Sequence, residues 1–343
     1  MMLKKWLGIL LKTVLPLLLG AYLVWYLFDS MSPVTKEHFY RELKEANYIW
    51  IILSLVISFI GLLSRAYRWK YVLEPLGYQT KFWNRYHALM IGYVMNLTIP
   101  RAGEATRAAM LYRSDGVPFS KSIGTIIGER AVDLVMLLAI ATFTAYIGYD
   151  DFWEIKGQIQ ANFAGVPGEE PALWKSLLFY GFILLVAAGA LSIFFLEKLR
   201  QKVFKFVKDV FIGVFSIFRS KNPFSYMFHT FVIWGSYVCY FGIAFWSLDE
   251  TTMIPFAGIM IGFVAGSLGI TFTNGGIGAF PLVVGLVVAF YLGDLLGGET
   301  AKGVGYAIGM IIWSSQTLMM IVLGLLSLVL LPKNYTRHEG QAE

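Results

Sequence analysis

The sequence predicts an all-α protein, a polytopic helical bundle that sits in a lipid bilayer. Three observations predict it. Hydrophobic residues make up 57% of the 343 residues and charged residues only 15%, where a soluble chain keeps about 25% charged to present a polar face to water. Apolar runs recur at the roughly 20-residue length that lets a helix cross a hydrocarbon core of about 30 Å. The charges fall between those runs, in segments whose sign alternates.

The first run, 6–28, follows Lys4 and Lys5. It is too long for a signal-peptide core and no small-residue cleavage site follows it, so it reads as a retained span. Further spans are expected at about 48–66, 122–148, 173–196, 226–247 and 303–331. Two regions, 82–113 and 254–293, are apolar but interrupted. Six full spans plus two re-entrant or broken-helix hairpins give eight or more membrane segments.

Lys and Arg in the short loops set the orientation. Basic segments follow the second span (Arg65, Arg68, Lys70, Lys81 and Arg85) and fill 197–223. Acidic ones hold Asp150, Asp151, Glu154, Glu169 and Glu170, and later Asp249 and Glu250. The loop 29–47 balances three basic residues against four acidic ones. Both termini are therefore expected in the cytoplasm. Segment 82–113 begins and ends on that side, and 101–113 is too short and too charged to face lipid, so the hairpin dips in and returns. Segment 254–293 begins and ends outside. There 254–272 could span, 279–293 looks short, and crossing twice or re-entry both remain open. Segment 203–219 is amphipathic, with Val203, Val207, Val210, Phe211, Val214 and Phe218 on one face and Lys202, Lys205, Lys208 and Asp209 on the other. It suits the cytoplasmic leaflet or a linker helix packed on the bundle. Residues 1–331 form one integral membrane domain, and 332–343 a short cytoplasmic tail.

Several functions are disfavoured. The net charge of +6 is spread between apolar runs rather than patched, which argues against nucleic acid. A lone Cys239 allows no intramolecular disulfide. His38, His87, His229 and His338 have no ligand spacing, so no metal is expected, and no P-loop is present to bind ATP. No cofactor is expected.

Three stretches carry candidate chemistry. In the first, Asn96 to Arg107, Pro100 breaks a helix and Gly103 allows close backbone approach. A new helix starting there would aim N–H groups into the membrane, a setting that attracts anions. Arg101 and Arg107 add charge suited to a lipid phosphate, and Glu104 lies three residues from each. The alternative is a cytoplasmic loop whose arginines hold the chain at the headgroups. In the second, Glu129, Arg130 and Asp133 sit inside a span, where each charge costs at least ~2.5 kcal/mol at the helix centre. Asp133 can pair with Arg130, leaving Glu129 for Arg101 or Arg107; a purely structural ion network gluing hairpin to span fits the same residues. The third, Asn274-Gly275-Gly276-Ile277-Gly278, makes a poor helix and a good tight turn. It is a candidate wall or gate of a substrate path, or an external turn. Gly258, Gly262, Gly266 and Gly269 are spaced for helix packing.

Asn-x-x-x-Pro-Arg-Ala-Gly-Glu-x-x-Arg at 96–107, Glu-Arg-x-x-Asp at 129–133 and Gly-Gly-Ile-Gly at 275–278, in that order, resemble the lysylphosphatidylglycerol synthase transmembrane-region family, also called flippase-like proteins. The resemblance covers nearly the whole chain. It implies kinship with the membrane half of the multiple peptide resistance factor, which moves aminoacylated phosphatidylglycerol between leaflets, and it makes Arg101, Glu104, Arg107, Glu129, Arg130 and Asp133 a functional polar cluster. Family members often carry Pro before the Gly-Gly pair and an acid soon after; here Asn274 and Phe280-Pro281 hold those places. No soluble aminoacyltransferase domain follows Leu331, so synthesis of the lipid is not expected. The expected function is transport of a phospholipid or related anionic lipid across a bacterial cytoplasmic membrane by a non-enzyme. Its partners would be membrane phospholipids, with a homo-oligomer or a lipid-synthesis enzyme compatible. The alternatives are a membrane enzyme acting on a lipid phosphate and a non-transporting scaffold for a synthase.

Overall fold

The computed structural model describes residues 14–99, 102–151, 153–154, 197, 200–201, 204 and 222–332. The expected span at 173–196, all of segment 203–219 except Phe204, the residues Pro100 and Arg101, and the tail beyond Pro332 lie outside the described residues. The chain forms two compact units: Met1–Glu129 with Ile217–Glu343, and Arg130–Ser216. All regular structure among the described residues is helical.

In the first unit, α1 (Leu15–Asp29) turns through 107° into α2 (Pro33–Glu45). The loop expected at 29–47 is instead helical over Pro33–Glu45. Ser32 caps α2 by accepting a hydrogen bond from the Thr35 N–H at 3.1 Å, with Pro33 in the first turn, a start that needs no apolar run. Its buried side chains, Thr35, Phe39 and Glu42, recur at helical spacing but make a stripe too narrow to stand out in sequence. Ser32→Ala is expected to lower stability by ~1 kcal/mol, read as a lower melting temperature in detergent.

Next, α3 (Tyr48–Leu73) is capped by the Asn47 side chain, which accepts from the Ile49 N–H at 3.2 Å. It runs seven residues past its expected end at 66, so Arg65 and Arg68 belong to helix rather than loop. Both are buried, at 4% and 0% exposure, and Arg85 is buried at 2%. Three of the five residues counted as a basic loop are therefore packed inside the protein. Arg85 is held by backbone, with Nε donating to the Ala66 carbonyl at 3.0 Å.

The two interrupted regions are helix–break–helix hairpins: α4 (Phe82–Thr98) with α5 (Ala102–Asp115), and α8 (Phe256–Phe272) with α9 (Ala279–Leu296). Between them in the chain come α6 (Phe119–Ile147) and α7 (Pro223–Ala244), and the described chain closes with α10 (Gly298–Leu330). Tyr48–Leu76, Pro223–Ser247, Ala279–Leu296 and Gly298–Leu330 are long and apolar enough to cross a membrane, and the bent α1–α2 pair adds a fifth if it forms one span. The bundle is thus that of a helical membrane protein. One expectation is reversed: α9, read as short, extends to Leu296 and has spanning length, whereas α8 has 17 residues.

The 33-residue helix α10 is the spine of this unit. Near its start Thr35 Oγ1 donates to Glu299 Oε2 at 2.8 Å. Further along, Gly305 abuts Gly285 and Gly309 abuts Pro281, so α9 lies against this half. Near mid-length, Trp313 Nε1 donates to the Gly275 carbonyl at 2.9 Å. Beyond it Gly324 packs under Met90 and Val94, and Ser327 Oγ meets His87 Nδ1 at 2.9 Å. The two hairpins therefore run in from opposite ends of α10 and meet at its middle.

In the second unit, the described part of α6 from Arg130 onward carries an Arg130–Asp133 ion pair at 3.8 Å.

Candidate functional site

The hairpin tips touch directly. Asn274 Nδ2 donates to the Leu97 carbonyl at 2.6 Å, in the last turn of α4. Gly275, Gly276 and Gly278 all have φ between 64° and 81°, a region open to glycine and strained for other residues. Tight contact adds to that need at Gly278, where a Cβ would lie 2.7 Å from Val24 N. The turn is thus wedged among α1, the α4 tip and α10. Asn274 and Gly276 are buried.

Within the first hairpin, Asn96 Oδ1 accepts the Gly103 N–H at 2.7 Å. That side chain satisfies one of the N–H groups a helix start leaves open, so this donor is not offered to an anion as the sequence reading expected. Gly92 and Gly103 are in backbone contact, which is how α4 and α5 close on one another.

The close packing positions Arg107. Its Nη1 and Nη2 donate to Glu129 Oε2 and Oε1 at 2.7 and 3.2 Å, and its Cζ lies 3.6 Å from the centroid of the Trp69 ring. Both partners are almost fully buried, Arg107 at 3% and Glu129 at 1%. Trp69 is fixed in turn by Nε1–H donating to Thr125 Oγ1 at 3.0 Å. The expected partnership of Glu129 with an arginine of the hairpin is present, and Arg107 is that arginine. Its geometry is that of a brace between hairpin and helix, since both Nη groups are occupied and the Nε has no hydrogen-bond partner. Glu104 is half-buried on α5. In the second unit Arg130 pairs with Asp133 as its spacing predicted, with the Arg130 side chain 47% exposed and that of Asp133 11%.

Sequence reasoning missed a second set of polar side chains, on α3 and α7. Arg65 Nη1 donates to Tyr237 Oη at 3.0 Å, and Arg68 Nη1 donates to Thr230 Oγ1 at 3.2 Å. Arg68 also sits 5.3 Å from the Tyr226 ring. A signal was available: Ser54, Ser58, Gly61, Arg65 and Arg68 recur at alternating four- and three-residue steps, one face of a helix. Among the described residues no three His, Cys, Asp or Glu side chains gather as a metal site.

An apolar bundle with two broken-helix hairpins meeting at buried polar groups is an integral membrane protein. The chain belongs to the family described as the lysylphosphatidylglycerol synthase TM region, which it matches over residues 13–324. It is similar to a UPF0104 membrane protein of Methanocaldococcus jannaschii, at 26% identity over 127 residues, 36% of this chain and 37% of that protein. The match thus spans little more than a third of the curated relative's length. No solved structure matches the chain.

Proposed function

We propose that the protein moves an anionic phospholipid, or a related lipid, between the leaflets of the membrane it spans. The observation that carries this reading is the Asn274–Leu97 junction, where two hairpins from opposite ends of α10 meet at its mid-length. Transporters built from inverted halves place their substrate sites at such helix breaks, near the bilayer midplane. In this reading the first hairpin is re-entrant, entering and leaving by one face, and the second reaches the same junction from the opposite side. Six spans plus the two hairpins then give eight membrane segments, with both termini on the cytoplasmic side of a bacterial inner membrane. The buried arginines favour a phosphate-bearing headgroup, and the acyl chains stay in lipid. Arg107 and Glu129 act as the brace that holds the hairpin in place. Transport makes and breaks no bond in the lipid, so the protein acts as a carrier rather than an enzyme, and it runs downhill or on an ion gradient.

The test is translocation of labelled phosphatidylglycerol in vesicles containing the purified protein. Wild type is expected to move the lipid well above the protein-free rate. Asn274→Ala removes the side-chain hydrogen bond that joins the hairpin tips; it is expected to slow transport about tenfold, equivalent to ~1.4 kcal/mol. Wild-type vesicles no faster than empty ones would overturn the transport reading. Full speed in Asn274→Ala would remove the hairpin junction from the substrate path.

A further inference from the structure

A polar seam runs between α3 and α7, two helices with the length and apolarity of membrane spans. On α3 it consists of Ser54, Ser58, Arg65 and Arg68, all at most 4% exposed. Gly61, on the same face, brings the helices together, and a Cβ there would sit 3.1 Å from Ser236 Cβ. From α7, Thr230 and Tyr237 accept from the two arginines. Two further donors in this region, Ser58 Oγ and Trp234 Nε1, are buried without a hydrogen-bond partner.

Packing alone does not call for such a seam. Spans associate well through small residues and van der Waals contact, whereas each arginine at the centre of a span costs at least ~2.5 kcal/mol. A buried donor left unsatisfied costs about 1–3 kcal/mol more. A ligand rich in oxygen acceptors would satisfy the Ser58 and Trp234 donors. Two guanidinium groups one turn apart fit the non-bridging oxygens of a phosphodiester, and the hydroxyl and indole donors continue the series. From Ser54 to Arg68 the α3 face rises ~21 Å at 1.5 Å per residue, about two thirds of a ~30 Å hydrocarbon core.

We propose that the α3–α7 seam parts to admit the phosphodiester headgroup of a lipid and that the headgroup travels along Arg68, Arg65, Ser58 and Ser54. This inference rests on the transport reading and adds the route and the headgroup class.

A reversible lock tests it. At the edge of the seam Ser64 Oγ lies 2.7 Å from His229 Nδ1 and 3.4 Å from the His229 carbonyl oxygen, so the two backbones run close enough for a disulfide. Ser64→Cys with His229→Cys, in a Cys239→Ser background, is compared oxidised and reduced in vesicles carrying labelled phosphatidylglycerol. Oxidation is expected to slow translocation roughly tenfold or more, with recovery on adding reductant. Equal rates in the two states would overturn the seam while leaving transport standing; a Cys239→Ser parent that moves no lipid would bring down both readings. As a second measurement, Arg65→Gln with Arg68→Gln is expected to lose the preference for labelled phosphatidylglycerol over labelled diacylglycerol, which lacks the phosphodiester. An unchanged preference would overturn the headgroup class, as would efflux of entrapped glycerophosphoglycerol without lipid movement.

Discussion

Glu129→Ala is expected to destabilise the protein by roughly 3–5 kcal/mol, the cost of leaving one member of a buried ion pair without the other. Glu129 and Arg107 are each at most 3% exposed and share two hydrogen bonds. With the carboxylate gone, the guanidinium stays packed on Trp69, 3% exposed, with no counter-charge from its former partner. Removing the charge altogether behaves differently. Arg107→Met with Glu129→Leu keeps most of the volume and leaves no orphan charge, so most of the lost stability is expected to return, as buried pairs often exchange for apolar residues at little cost. Arg107→Lys should fall between, because a lysine cannot make the two-pronged contact. Melting temperature in detergent, followed by the loss of monodisperse protein on size exclusion, reads all three variants. A Glu129→Ala protein that melts with the wild type would show that the pair is not a brace.

How much of this was legible in the sequence depends on which physical signal each element carries. Long apolar runs with charged flanks announce themselves, and α3, α7 and α10 appear where expected to within a turn or two. The end of α4 at Thr98 and the glycine turn at 274–278 were legible because Pro and Gly change what the backbone can do locally. The Arg107–Glu129 pair followed from the cost of charge inside a span, which demands a partner. By contrast, Arg65 and Arg68 were counted as loop charges because the apolar run thins before the helix ends, and a count by residue type cannot separate a buried arginine from one in water. The α2 helix was missed for the opposite reason: its cap is a short polar signal and its buried stripe is only three residues. The meeting of Asn274 with Leu97 joins positions 177 residues apart, and no local pattern encodes it.

The turn that makes this meeting possible supports the second large effect. Gly278 has φ 70° and ψ −41°, and any residue with a Cβ is strained there by about 1–3 kcal/mol. The neighbourhood adds a steric cost: the new Cβ would fall 2.7 Å from both Leu23 Cβ and Val24 N. The second of these is backbone, so relief requires α1 and the turn to move apart. Gly278→Ala is therefore expected to lower the melting temperature sharply and to loosen the tip contact, reducing lipid translocation with it. Gly275 offers a controlled contrast. Its φ of 64° and ψ of 20° lie close to the left-handed region that Asn tolerates, and the nearest obstacle is the Leu97 Cδ2 atom at 2.6 Å, the far end of a flexible side chain. Gly275→Asn should cost clearly less than Gly278→Ala. If the two variants melt together, or Gly278→Ala is the milder, the wedge of this turn against α1 is not what holds the hairpin tips in register.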